Sequence, residues 1–138
     1  MALGATVTGL VAAIISVWRI TASNDRALDV LVWAEDGLFP LCVKAHGVLP
    51  CLVDPYAGYI LFVPRMVAWP VSVFPMDEWP LVTNLAAAVL AGLLAAVAFI
   101  VLRCGGVGWI ASVLVAVMPV LVPITGLEAI NASASVYM

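Results

Sequence analysis

The chain has 138 residues, of which 66% are apolar and 9% charged, and it carries a net charge of −3 with a mean hydropathy of +1.23. About a quarter of the residues of an ordinary soluble domain are charged, so a water-surrounded globule is excluded as the expectation, and five scattered basic residues provide no patch for nucleic acid. The apolar runs are continuous rather than alternating, which also excludes β-barrel strands. A backbone that crosses hydrocarbon must then satisfy its own hydrogen bonds as helix. The expected class is all-α: an integral membrane protein with about three transmembrane helices, plus interfacial helices in a long first outer loop, forming one module over residues 1–138.

In chain order, residues 2–20 form the first expected span, uncharged as far as Trp18 and close to the roughly 20 residues that a 30 Å hydrocarbon core requires. Small residues follow at Thr21-Ala22-Ser23, as a signal-peptide cleavage site would have them. No Lys or Arg precedes the run, however, so the basic leader of a signal peptide is missing and the segment is expected to remain as an anchor.

Residues 21–80 form the expected outer loop. Between positions 19 and 80 stand four basic residues (Arg19, Arg26, Lys44, Arg65) and seven acidic ones (Asp25, Asp29, Glu35, Asp36, Asp54, Asp77, Glu78). Two of the acids are adjacent in Trp33-Ala34-Glu35-Asp36-Gly37, either an ordinary solvated pair or a positioned base. Cys42 and Cys51 flank eight residues. An oxidising exterior favours their pairing, whereas two free thiols packed as small hydrophobes is the alternative, since spacing does not fix connectivity.

The apolar stretch 56–74 is a poor span, because Arg65 lies near its middle and Pro64 and Pro70 each remove a backbone donor. It is expected as broken helices in the interface, with Tyr56, Tyr59 and Trp69 at headgroup level. Arg65 there either snorkels, pairs with Asp54, or holds an anion.

The second span is expected over 81–102, where Gly92 and its small neighbours Ala88, Ala91, Ala95 and Ala96 allow a second helix to approach closely. Gly105-Gly106-Val107-Gly108 reads as a tight turn; no strand precedes it and its spacing is not that of a dinucleotide fingerprint. The third span follows over 107–127, with Glu128 just after it. Arg103 is the basic residue of the short connection, which by the positive-inside rule puts that turn and the N-terminus in the cytoplasm and the long loop outside, although Arg19 weighs the other way. Glu35, Asp36 and Glu128 then share the outer side, and Cys104 the reducing one.

The order of these features resembles the N-terminal region of bacterial polytopic glycosyltransferases of the GT-C superfamily. It comprises one span, the Trp33-Ala34-Glu35-Asp36-Gly37 loop, Asp54-Pro55-Tyr56-Ala57-Gly58-Tyr59, Val63-Pro64-Arg65, Asn84 opening the second span, and Pro123 then Glu128-Ala129-Ile130-Asn131. The resemblance implies transfer of a sugar from a polyprenyl-phosphate donor to an acceptor at the outer face of the bacterial cytoplasmic membrane. It also implies a general base in the first outer loop, here Asp36 or Glu35, Asp36 being preferred because Gly37 lets the backbone turn tightly beside it. A leaving lipid phosphate calls for a cation, and Arg65, with Lys44 and His46 behind it, is the expected source. Tyr59 and Glu128 complete the expected substrate-binding residues.

No metal site follows from the spacing. His46 lacks partner ligands, and the acidic cluster is compatible with a hard divalent cation without requiring one. The chain covers only the opening part of such an enzyme, so a fragment, inactive alone and completed by the remaining helices of a larger protein or assembly, is expected. A small non-catalytic membrane protein, binding a lipid or a membrane partner through its outer loop, is the alternative. A transporter fits less well, as the three clean spans hold no charge.

Overall fold

In the computed structural model, residues 1–24, 38–55 and 62–121 are described, and all their regular structure is helical. Three long helices, α1 (Ala2–Asn24), α5 (Trp79–Cys104) and α6 (Trp109–Leu121), form a bundle. Three short ones, α2 (Leu38–His46), α3 (Val48–Val53) and α4 (Phe62–Val71), form a cap, joined to α5 through a 3-10 turn at Met76–Glu78. The bundle runs up, down and up: Gly4 meets Phe99 and Trp109 at one end, Gly9 meets Gly92 midway, and Arg19 reaches Val120 at the other.

Small residues set the helix spacing. A Cβ on Gly92 would lie 2.7 Å from the Gly9 carbonyl oxygen, and one on Gly9 would lie 2.8 Å from that of Gly92. The α1 and α5 backbones therefore touch directly, with Ala13 and Ala96 at the same crossing. The rest of the interior is also small: Ala5, Ala12, Ala87, Ala88, Ala91, Ala95 and Ala116, with Phe99 and Val117 filling the wider gaps. Three of its buried polar groups bond to nearby carbonyls, Thr8 Oγ1 to Gly4 at 2.8 Å, Asn84 Nδ2 to Pro80 at 2.8 Å and Ser112 Oγ to Gly108 at 3.0 Å. Large apolar side chains point the other way. Leu3, Leu10, Ile14, Trp18, Val89, Leu93, Val97, Val101, Ile110, Leu114 and Met118 are all exposed.

The helix ends follow local chemistry. α5 opens with Pro80 in its first turn, where an amide hydrogen would have no helical acceptor. It closes in a Schellman turn, with Val107 N–H on Leu102 O at 3.0 Å and Gly106 N–H on Arg103 O at 3.2 Å; the required left-handed residue is Gly106 at φ 81°. Gly47, at φ 82° and ψ 172°, separates α2 from α3, its N–H closing α2 on the Val43 carbonyl at 2.9 Å.

Two helices, α1 and α5 with its preceding turn, are long and apolar enough to cross a membrane. α6 is apolar but spans 13 described residues, about 20 Å at 1.5 Å per residue, so the expected third span 107–127 is described only to Leu121. The ends of the other two move outward from expectation, to Asn24 for α1 and to 79 and 104 for α5. The stretch expected as broken helices differs more: α4 is continuous through Arg65. Pro64 falls in its first turn, where no amide hydrogen is needed; Pro70 lies inside the helix and brings no amide hydrogen to the Met66 carbonyl, and the helix ends one residue later, at Val71.

Candidate functional site

The cap sits at the end of the bundle where α1 ends and α5 begins, and a disulfide between Cys42 and Cys51, with Cα atoms 5.9 Å apart, fastens α2 to α3. At its centre is Arg65, only 4% exposed. Its Nη1 donates to the Cys51 carbonyl at 2.7 Å, and its guanidinium carbon lies 4.7 Å from the centre of the Phe39 ring. Three helices thus converge on one cation: α4 supplies it, α3 the acceptor and α2 the aromatic face. Nε has no acceptor among the described residues. The expected pairing with Asp54 is not made; that carboxylate is exposed at the end of α3, whereas the guanidinium is turned into the cap.

Lys44 is engaged differently. Its ammonium stands 5.1 Å from the centre of the Trp79 ring and 3.5 Å from the Phe74 carbonyl, which also accepts from Trp79 Nε1 at 3.0 Å. This contact pins α2 onto the first residue of α5. His46 is exposed at the end of α2. The three expected cations therefore have separate surroundings. Arg65 is the one buried among helices, and Lys44 serves as the tie between cap and bundle. Glu35, Asp36, Tyr59 and Glu128 lie outside the described residues. The chain connects α1 to α2 through 25–37, so the acidic pair immediately precedes the cap. Among the described residues no group of three or more His, Cys, Asp or Glu gathers as a metal centre.

Sequence reading missed the bundle's own polar feature. A cleft of about 190 Å³ opens between α5 and α6 and reaches α1, with Ser16, Arg19 and Pro119 among its walls. Arg19 Nη1 donates to the Val120 carbonyl at 3.0 Å, tying α1 to α6. The available signal was a Ser and an Arg three residues apart, hence on one helical face, opposite a span containing proline. A second, wholly apolar groove lies between α1 and α5 beside Val17, Trp18, Leu85 and Ala88.

Comparison of the chain with protein-family models, with curated proteins and with solved structures gives no match in any of the three.

Proposed function

We propose that this chain is a membrane-embedded helical module of the bacterial cytoplasmic membrane, its N-terminus cytoplasmic and its cap outside, and that it forms the N-terminal part of a polyprenyl-phosphate-dependent glycosyltransferase. The observation that carries the membrane half is the inverted distribution of side chains: alanine, glycine, serine and threonine inside, leucine, isoleucine, valine and tryptophan outside. Water would penalise that surface, whereas lipid accepts it and leaves helix association to close packing of small residues. Burial supports the same reading, since only 22% of the first span window and 33% of the second are buried within the protein. The core helix of a soluble protein is mostly covered.

The glycosyl-transfer half rests on the resemblance of its motifs and on Arg65. A guanidinium in the cap with Nε lacking an acceptor among the described residues, following the Glu35-Asp36 pair in the chain, suits an anionic donor beside a general base. In this reading Asp36 removes the proton from the acceptor hydroxyl as it attacks the anomeric carbon, and Arg65 offsets the charge that develops on the lipid phosphate. Membrane lipid and the remaining helices of a larger protein or assembly are its partners; a divalent cation has no assigned role. The test is Asp36→Asn in the chain joined to its full reading frame, assayed for sugar transfer from a polyprenyl-phosphate donor. Turnover should fall by about 10²-fold or more, the usual worth of a general base; unchanged turnover rejects the role, and Glu35→Gln decides between the pair.

One observation favours the non-catalytic alternative. Arg65 and Lys44 already have partners within the protein, Cys51 with Phe39 and Trp79 with Phe74, as residues that hold a cap together would. Under that reading Arg65→Lys weakens the cap without changing any transfer reaction.

A further inference from the structure

We propose that the Cys42–Cys51 disulfide is a redox-controlled clasp on Arg65: oxidised, it holds the guanidinium shut inside the cap, and reduced by a dithiol it lets α3 swing away and opens that cation to anions. The inference rests on the reading of the cap as outer and of Arg65 as its anion-binding cation; its test reads neither topology nor sugar transfer.

The bridge and the cation share their supports. Cys51 is one half of the disulfide and also the residue whose main-chain carbonyl accepts from Arg65 Nη1 at 2.7 Å. Phe39, whose ring centre lies 4.7 Å from the guanidinium carbon, stands three residues before Cys42 on α2, on the same helical face as the other half. Closing the bridge therefore fixes acceptor and ring relative to each other, with the cation against both. Opening it releases the chain where it bends most easily, at Gly47 between α2 and α3, which has φ 82° and open space where a Cβ would stand. Lys44 keeps α2 on Trp79 and the Phe74 carbonyl, so α3 is the member that moves, and the Cys51 carbonyl moves with it. Arg65 Nε already lacks an acceptor among the described residues. A guanidinium only 4% exposed that loses its Nη1 acceptor as well must draw in water or an oxyanion.

The two sulfurs differ in access, which sets the order of exchange. Cys42 is half-buried and Cys51 only 3% exposed, so an incoming thiolate meets Cys42 Sγ. Lys44 and His46, in the last turn of the same helix, give that approach a basic setting. The reductant is a protein dithiol of the Cys-x-x-Cys class on the outer face. Its first thiolate bonds to Cys42 Sγ as the Cys42–Cys51 bond breaks, and the electron pair leaves on Cys51, which takes up a proton. Its second thiolate then attacks its own first sulfur in the mixed disulfide, and Cys42 departs as the thiolate. Two electrons have passed from the reductant, now a disulfide, to the cap.

The test uses the full chain in detergent, its exposed free Cys104 first blocked with iodoacetamide, and reads the rate at which phenylglyoxal modifies Arg65 by peptide mass mapping. Reduction with dithiothreitol should raise that rate about tenfold or more, the worth of one hydrogen bond to a charged group. Arg103, in the turn at the other end of the bundle, should keep its rate, and reoxidation with glutathione disulfide should return Arg65 to the protected one. In an acid-quenched reaction with reduced glutathione, the mixed disulfide should be found on Cys42. Cys42→Ser combined with Cys51→Ser should react at the reduced rate under either condition; should that variant not fold, the wild type in its two states decides. Equal Arg65 rates in the two states, protection that reoxidation does not restore, glutathione trapped on Cys51 instead, or a rise shared by Arg103 with loss of helix content overturns the proposal. Failure of Asp36→Asn to lower sugar transfer is a different result and tells against the catalytic reading instead.

Discussion

Replacing Gly92 by alanine sets two effects of opposite sign against each other. Alanine is the better helix former by about 1 kcal/mol, so an α5 whose Gly92 merely faced lipid would be stabilised. The structure predicts the reverse. The new Cβ would lie 2.7 Å from the Gly9 carbonyl oxygen, whereas ordinary contact begins near 3.4 Å, a shortfall of 3.4 − 2.7, or about 0.7 Å. The obstacle is backbone on both sides, so no rotamer relieves it and α1 must back away. A gap of that size forfeits about a quarter to a half of each dispersion contact along the interface, and such overpacking costs about 1–3 kcal/mol, toward the upper end here. Net destabilisation of about 1–2 kcal/mol follows after the propensity gain, and more for Gly92→Val. The assay is reversible unfolding in mixed micelles followed by tryptophan fluorescence, with Gly108→Ala as the control because a Cβ there meets nothing within 4 Å. Gly9→Ala combined with Gly92→Ala should cost less than the sum of the two, the helices having already separated. A Gly92→Ala protein as stable as, or more stable than, the wild type would refute the direct backbone contact.

Replacing Cys42 and Cys51 by serine should cost the cap about 2–4 kcal/mol by the loop-closure argument, seen as faster tryptic cleavage after Lys44 and Arg65 and matched by reduction of the wild type. Arg65→Ala removes the donor to Cys51 and the cation over Phe39 together, and about 2–3 kcal/mol of cap stability should go with it; Arg65→Lys should restore only part, since an ammonium cannot lie flat on the ring. Trp79→Phe deletes the indole donor to Phe74 and weakens the Lys44 contact, a loss of about 1–2 kcal/mol in the same proteolysis assay.

The all-helical class was legible because continuous alanine, valine and leucine runs leave the backbone no alternative, and the α5 and α6 boundaries near the Gly105–Gly108 turn followed from glycine at the left-handed position. Gly92 was legible as a point of close approach, but its partner Gly9 was not, since no local signal tells which of several small residues faces another helix. Helix α4 runs unbroken past Pro64 because that proline falls in the first turn, where no amide donor is needed, whereas Pro70 lies one residue before the helix ends, as a proline read from sequence would have it. Arg65 was legible as exceptional, a charge in an apolar stretch; its acceptor on Cys51 and its ring on Phe39 come from other helices and depend on tertiary packing.

The central claim is that α1, α5 and α6 lie within lipid with the cap on one face and the Arg103–Gly108 turn on the other. Cys104, free and exposed at the turn, and a cysteine introduced by Asp77→Cys at the cap end report on the two faces in sealed membrane vesicles of known orientation, using a membrane-impermeant maleimide. The account predicts that the position-77 thiol is labelled from the outer face only and Cys104 only after the inner face is opened. Labelling of both from one face of intact vesicles would contradict it.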